Sequence, residues 1–89
     1  MSAVEVRLAP LLRSYTGGAA SVPAAGATVD EALRDLDARY PGIRFRLVDE
    51  QDRLRRHVRL FVNEADARDL GRRLDEGDRV FIVGALSGG

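Results

Sequence analysis

Thr28-Val29-Asp30-Glu31-Ala32-Leu33-Arg34-Asp35-Leu36-Asp37-Ala38-Arg39-Tyr40-Pro41-Gly42 is the stretch on which the fold turns. It opens with a capping box: the Thr28 hydroxyl is placed to accept from the amide of Glu31, and the Glu31 carboxylate to reach back to the amide of Thr28. Asp30 and Glu31 also sit at the positive end of the helix dipole. Val29, Ala32, Leu33, Leu36 and Tyr40 recur at helical spacing and make one apolar stripe. Pro41-Gly42 ends the run. The spacing predicts a helix over residues 28–40, and a helix with one apolar face needs a second layer to bury it.

Outward from the helix the chain reads as strands. Residues 3–8 alternate, with Val4, Val6 and Leu8 on one face and Glu5 and Arg7 on the other. Pro10 ends that strand, and residues 10–16 run over the surface, with Leu11, Leu12 and Tyr15 folded back to cover the core edge. Gly17-Gly18 is a turn, and residues 19–23 form a short second strand in a hairpin with the first, with Pro23 at an edge. Residues 43–52 fit either a strand or an irregular helical turn that tucks Ile43 and Leu47 inward, followed by a solvated loop. Residues 57–62 are a strand with Val58, Leu60 and Val62 inward, and Asn63-Glu64 starts a turn. Residues 66–74 connect, with one helical turn anchored by Leu70 and Leu74. Glu76-Gly77-Asp78 is a tight turn before the last strand, where Val80 and Ile82 face the core. The first and last strands are the most aliphatic and suit the centre of the sheet. With the helix as crossover, they must pair in parallel. The fold class is therefore α+β: a mixed sheet packed on one main helix, the β-grasp or ubiquitin-like arrangement.

Composition narrows the function. The 89 residues have room for one core, and 14 basic residues balance 14 acidic ones to a formal net charge of zero. That balance argues against a nucleic-acid binder that relies on a basic footprint. There is no cysteine, so no thiolate nucleophile, disulfide or zinc–thiolate site, and the one histidine, His57, makes a transition-metal cluster improbable. Every basic residue is arginine, so the chain has no ε-amino group for isopeptide or Schiff-base chemistry. No bilayer-length apolar run and no signal-peptide pattern are present, which places the chain in the cytoplasm, away from membranes.

Two regions stand out as candidate sites. After the strand-like run Arg79-Val80-Phe81-Ile82-Val83, the chain continues as Ala85-Leu86-Ser87-Gly88-Gly89. A Cβ-free end can thread a narrow channel and present its carboxylate to another enzyme; the expected division is a domain over residues 1–84 and a flexible tail over 85–89. Opposite the core-facing parity lie Arg7, Arg59, Phe61, Arg79, Phe81 and Val83. Phenylalanines flanked by arginines have the composition of an interface. Two readings fit them: a docking face, or rings sheltered by arginine stems or by residues 43–52. Arg53, Arg55, Arg56, His57 and Arg59 form a basic run, either a solvated strand edge or an RNA contact, and His57 reads as surface. Asp30, Glu31, Asp35 and Asp37 are the polar side of the helix.

Together, in this order and spacing, several features resemble one family. They are the loop 12–16 with Gly17-Gly18, the capped helix 28–40, the strand ending Val62-Asn63, the Gly77-Asp78 turn and terminal Gly88-Gly89. Over essentially its whole length the chain resembles the ubiquitin-like sulfur carriers of the MoaD/ThiS family. The segments Tyr40-Pro41-Gly42-Ile43 and Arg46-Leu47-Val48-Asp49, with the long link before His57-Val58, are most similar to the CysO-type carriers of cysteine biosynthesis. The resemblance implies a protein co-substrate with no catalysis of its own and no bound cofactor. An E1-like enzyme would consume ATP to adenylate the Gly89 carboxylate, a sulfur donor would convert it to a thiocarboxylate, and an acceptor such as a cysteine synthase would take the sulfur. A JAMM-type protease is a further implied partner. Gly88, Ser87, Leu86 and Ala85, with the outer face, would bind these partners. Alternatives are the small subunit of molybdopterin synthase, a sulfur carrier for thiolated secondary metabolites, a ubiquitin-like protein modifier, and an interaction module whose terminus is incidental.

Overall fold

A computed structural model of the chain describes residues 2–84; Met1 and the tail residues Ala85, Leu86, Ser87, Gly88 and Gly89 lie outside the described residues. In order, the elements are strand β1 (Ser2–Leu8), a 3₁₀ segment (Pro10–Thr16), β2 (Ser21–Gly26), helix α1 (Val29–Arg39), the short helix α2 (Ile43–Leu47), β3 (Val58–Val62), β4 (Ala65–Asp66) and β5 (Arg79–Gly84). One sheet carries the strands in the order β2-β1-β5-β3-β4. β1 and β5 pair in parallel, Glu5 opposite Arg79 and Leu8 opposite Ile82. The other neighbours are antiparallel. This is the mixed sheet expected from the two aliphatic end strands, and the crossover between them carries α1.

Alternation along the strands sets one buried face: Val4, Val6, Leu8, Val58, Leu60, Val62, Val80 and Ile82 are all in the core. Against them α1 lays Val29, Ala32, Leu33 and Leu36, each buried, while Tyr40 packs partly buried at its end. Burial of the larger of these side chains stabilises by about 1.5–3 kcal/mol each.

The first four amides of α1 all find acceptors, which decides the path of residues 66–74. Val29 N–H donates to the Arg72 carbonyl (3.0 Å) and Asp30 N–H to the Leu70 carbonyl (2.9 Å). Glu31 N–H donates to the Thr28 hydroxyl (3.2 Å), and Ala32 N–H to the Thr28 carbonyl (3.0 Å). Half of the capping box is as expected. The Glu31 carboxylate, however, accepts from Ala27 N–H (2.9 Å) rather than from Thr28. Residues 66–74 form no helix. One turn closes at residues 69–72, Arg72 N–H donating to the Asp69 carbonyl (3.0 Å), but it does not continue as a helix because the Leu70 and Arg72 carbonyls are taken by the start of α1; Leu74 is buried and Leu70 partly buried as anchors.

Elsewhere the boundaries move. Residues 10–16 wind into 3₁₀ turns with Pro10 at the start, Leu12 buried, Tyr15 half-buried and Leu11 46% exposed. The second strand spans Ser21–Gly26 instead of residues 19–23, because its ladder with β1 runs from Arg7↔Ser21 to Ser2↔Gly26. Ala19 and Ala20 spend their carbonyls on the Thr16 hydroxyl (2.8 Å) and Leu8 N–H (2.8 Å). Residues 43–47 take the helical alternative, Ile43 and Leu47 inward and Phe45 67% exposed. His57 lies in the turn before β3, outside the strand. No helix of the described residues is long and apolar enough to cross a membrane.

Two expectations arise from the packing. A Cβ at Gly26 would lie 2.6 Å from the Ala32 nitrogen, so β2 can approach α1 only with glycine there. Gly26→Ala is expected to lower the unfolding free energy by about 2 kcal/mol, read by urea denaturation; an unchanged midpoint would contradict the close approach. Asp30 ties α1 to α2 through Arg44 (2.6 Å) and pairs with Arg34 (2.9 Å) along its own helix. Burial pushes the Asp30 carboxyl up, but hydrogen bonds from Arg34 and Arg44 outweigh it and hold the carboxyl below its ordinary value. A folded value below the unfolded one makes the contribution complete above the ordinary carboxylate range and lost as pH falls through the lowered value. Asp30→Asn is therefore expected to destabilise the protein at neutral pH and to shrink the gap to wild type as pH drops below about 4, in melts across that range.

Candidate functional site

The face of the sheet opposite α1 carries the predicted residues together. Register places Phe61 directly opposite Phe81, Arg59 opposite Val83, and Arg7 on the other flank of Phe81. The two rings are 6.5 Å apart between centroids and tilted by 40°. Arg59 lies over the Phe61 ring at 5.6 Å and pairs with Asp66 at 2.9 Å. Phe61 is thus half sheltered by an arginine, whereas Phe81 stays 44% exposed. Residues 43–52 do not cover the pair: Ile43 and Leu47 pack into the core on the other side of the sheet, and none of these residues lines the outer groove. Arg79 lies 4.0 Å from Glu5, and both side chains are largely in solvent. Among the described residues Arg7 has no ion-pair partner.

This face is concave. A groove of about 770 Å³ runs between the phenylalanines and the 3₁₀ segment, lined by Arg7, Pro10, Arg13, Phe61, Arg79, Phe81 and Val83, with Asn63 and Glu64 at one end. Sequence parity missed Pro10, Arg13, Asn63 and Glu64, which come from connections and carry no strand periodicity. Asn63 and Glu64 have positive φ (49° and 76°), and the Asn63 side chain accepts from Arg79 N–H (2.9 Å) while donating to Asp78 (2.8 Å). That bracket fixes the turn against the start of β5. The Asp78 carboxyl is held low by the Asp75 amide and the Asn63 side chain.

The tail leaves from the other end of β5. Gly84 stands opposite Val58 at the head of β3, and Leu11, Leu12, Arg46, Leu47 and His57 gather around it. Arg68 pins the loop that brings His57 there, donating to the carbonyls of Val58 (2.8 Å), Leu54 (3.1 Å) and Arg55 (3.1 Å). Arg55 stacks on Phe45 at 4.9 Å and donates to its carbonyl (2.9 Å). From Phe81 to Gly84 is about 10 Å at strand rise, so the aromatic face leads up to the end of β5. The helix carboxylates serve the scaffold: Asp35 accepts from Ala25 N–H (2.9 Å), and Asp37 from the amides of Gly42 (3.0 Å) and Arg44 (3.1 Å). Gly88, Gly89 and the rest of the tail lie outside the described residues.

A family model described as the ThiS family matches residues 6–89. The chain belongs to the ThiS family. It is 40% identical over 91 residues to the sulfur carrier protein CysO of Mycobacterium tuberculosis, the alignment covering 97% of this chain and 98% of the relative. Among solved structures it resembles the Amycolatopsis orientalis BexX/CysO complex, with TM-score 0.88, 39% identity and coverage of 97% of this chain and 99% of the matched one. It also resembles the small archaeal modifier protein 1 of Methanosarcina acetivorans, with TM-score 0.86, 26% identity and coverage of 100% and 98%. The chain shares the ubiquitin-like β-grasp fold with these neighbours.

With its ring edge already in solvent, Phe81 contributes less to the core than its size suggests. Phe81→Ser is expected to fold with a loss of about 1 kcal/mol, far below the 3–5 kcal/mol of a buried phenylalanine. Denaturant titration checks this, and a loss in the buried range would mean the face is part of the core.

Proposed function

We infer that the chain is a sulfur carrier whose Gly89 carboxylate is the reacting group, with cysteine synthesis as the favoured destination of the sulfur. The observation that carries this reading is the near full-length similarity to CysO sulfur carriers, together with a family match that runs through Gly89. The absence of cysteine supports it from chemistry: sulfur cannot ride on a side-chain persulfide, which leaves the terminal carboxylate as its place. In the first step the carboxylate attacks ATP on a partner enzyme, giving an acyl-adenylate and pyrophosphate. In the second, a sulfide-equivalent donor displaces AMP and leaves a thiocarboxylate. An acceptor enzyme then takes the sulfur, and water returns the carboxylate. The chain performs none of the bond-making; it is a co-substrate in which Gly88 supplies clearance and the domain over residues 1–84 supplies recognition.

The groove across Phe61 and Phe81 suits the docking of an activating enzyme, with Arg7 and Arg79 in its lining and Arg59 over the Phe61 ring. Rings flanked by arginines are the usual anchors of such surfaces. Residues 85–89 span at most about 18 Å when extended, enough to bridge a docked domain and a recessed site. The likeness to a small archaeal modifier protein favours a second reading, in which the activated Gly89 is passed to amines of other proteins. The lack of lysine would then prevent chains built on this protein's own ε-amino groups.

Intact-mass measurement after incubation with the host's E1-like enzyme, ATP and sulfide tests the carrier reading. The expected result is a gain equal to sulfur replacing one oxygen, lost when Gly89 is deleted. No gain with a demonstrably active enzyme would overturn it, and a covalent adduct with a target protein would favour the modifier reading.

A further inference from the structure

The connection between β3 and β4 is a two-residue hairpin loop: Val62 pairs with Ala65, and Asn63 and Glu64 lie between them with φ of 49° and 76°. A loop with both residues left-handed matches the twist of the flanking strands, and it favours asparagine followed by glycine. Asn63 fits its place. Its side chain braces the loop against β5, accepting from Arg79 N–H (2.9 Å) and donating to Asp78 (2.8 Å). Glu64 does not fit. A side chain at φ 76° is strained where glycine would be relaxed. The Glu64 side chain is exposed, and it has no ion-pair partner among the described residues. The hydrogen bonds that brace this corner run through Asn63 and Asp78 instead.

The strained carboxylate lines the groove that holds Phe61 and Phe81, and it is the one acid among the described residues of that lining. Arg79 lines the groove too, but its ion-pair partner is Glu5 (4.0 Å). Asn63 meets β5 at Arg79, about 17 Å at strand rise from Gly84. Glu64 therefore marks the end of the groove remote from the end of β5. We propose that Glu64 is a specificity-determining residue: its carboxylate receives a guanidinium or ammonium group of the activating enzyme that docks in the groove. The proposal rests on the carrier reading for the identity of that enzyme, and on charge complementarity for its chemistry. A carboxylate only accepts hydrogen bonds, so what meets it must donate, and a cation does so most strongly. The two phenylalanines hold an apolar partner surface without fixing how it lies along the groove. A charge pair at one end removes that freedom and sets which way the end of β5 points.

Steady-state adenylation by the activating enzyme, with ATP saturating and the carrier varied, tests Glu64 alongside urea denaturation of the same variants. Glu64→Gly is expected to raise the urea midpoint, because the strain is relieved, and yet to raise the KM for the carrier about tenfold with kcat unchanged. Glu64→Gln keeps the strained backbone and an acceptor oxygen but loses the charge; it is expected to raise KM equally without raising the midpoint. Glu64→Asp keeps the charge and is expected to recover most of the wild-type KM. The gap between Glu64→Gln and wild type should narrow as salt is raised from about 20 to about 500 mM. A wild-type KM for Glu64→Gly or Glu64→Gln, a loss confined to kcat, a gap that salt does not narrow, or a midpoint that falls in Glu64→Gly would overturn the proposal. These results leave the carrier reading intact, since the wild-type protein is adenylated in each. If the wild-type protein is not adenylated by a demonstrably active enzyme, the carrier reading fails and the role of Glu64 falls with it.

Discussion

Parallel pairing between the first strand and the last is the constraint on which the rest of the structure depends. Strands joined in parallel cannot be linked by a hairpin, so the intervening chain must cross over one face of the sheet. Here that chain is α1, and its apolar stripe closes the core on that face alone. The opposite face is left to solvent and is therefore free to carry Phe61 and Phe81. The same pairing makes β5 a central strand, held on both sides as far as Ile82, and Gly84 ends it paired with Val58 of β3. The chain leaves the sheet from a fixed point.

A sheet with two edges must protect them, and the helix layer does part of this. β2 is an outer strand, and Pro23 within it has no N–H to offer a foreign strand. Its carbonyl is taken by Arg39, and Ala25 N–H by Asp35, both from α1. At the far edge β4 is only two residues long, and the chain beyond it turns back to supply carbonyls to the start of α1. The long link between β3 and β5 is thus the N-terminal cap of the helix as much as a connection. Its irregular path is dictated by where the orphan amides of α1 lie.

What could be read in advance was whatever repeats along the chain. Strand alternation and the helical stripe gave the layers, the inward residues and the parity that groups Arg7, Arg59, Phe61, Arg79, Phe81 and Val83 on the bare face. Features that depend on contact between distant residues left no such trace. Gly26 looks like any turn glycine until α1 is seen against it, and the single turn in residues 66–74 gives no sign that the Leu70 and Arg72 carbonyls cap the helix. Arg13 and Asn63 join the groove from connections, where no period exists to assign a face. The run from Arg53 to Arg59 splits for the same reason: Arg59 alone lies on a strand, and the others take a loop whose course is set by Arg68.

A reacting group on a backbone terminus, as proposed for Gly89, changes what the domain has to supply. A side-chain nucleophile needs a pocket to tune it, but a carboxylate activated elsewhere needs only presentation. Among the described residues, no group of three or more His, Cys, Asp or Glu side chains is placed to hold a metal, and the perturbed carboxyls of Asp30, Asp49 and Asp78 are explained by caps and pairs within the scaffold. What the surface offers is an aromatic groove along one face. If the partners of the proposed carrier dock there, the phenylalanines act only in contact and set how long each complex lasts. A carrier loaded at one enzyme and unloaded at another has to leave the first, and an apolar anchor as small as two rings allows docking without the slow release that a larger apolar face would impose.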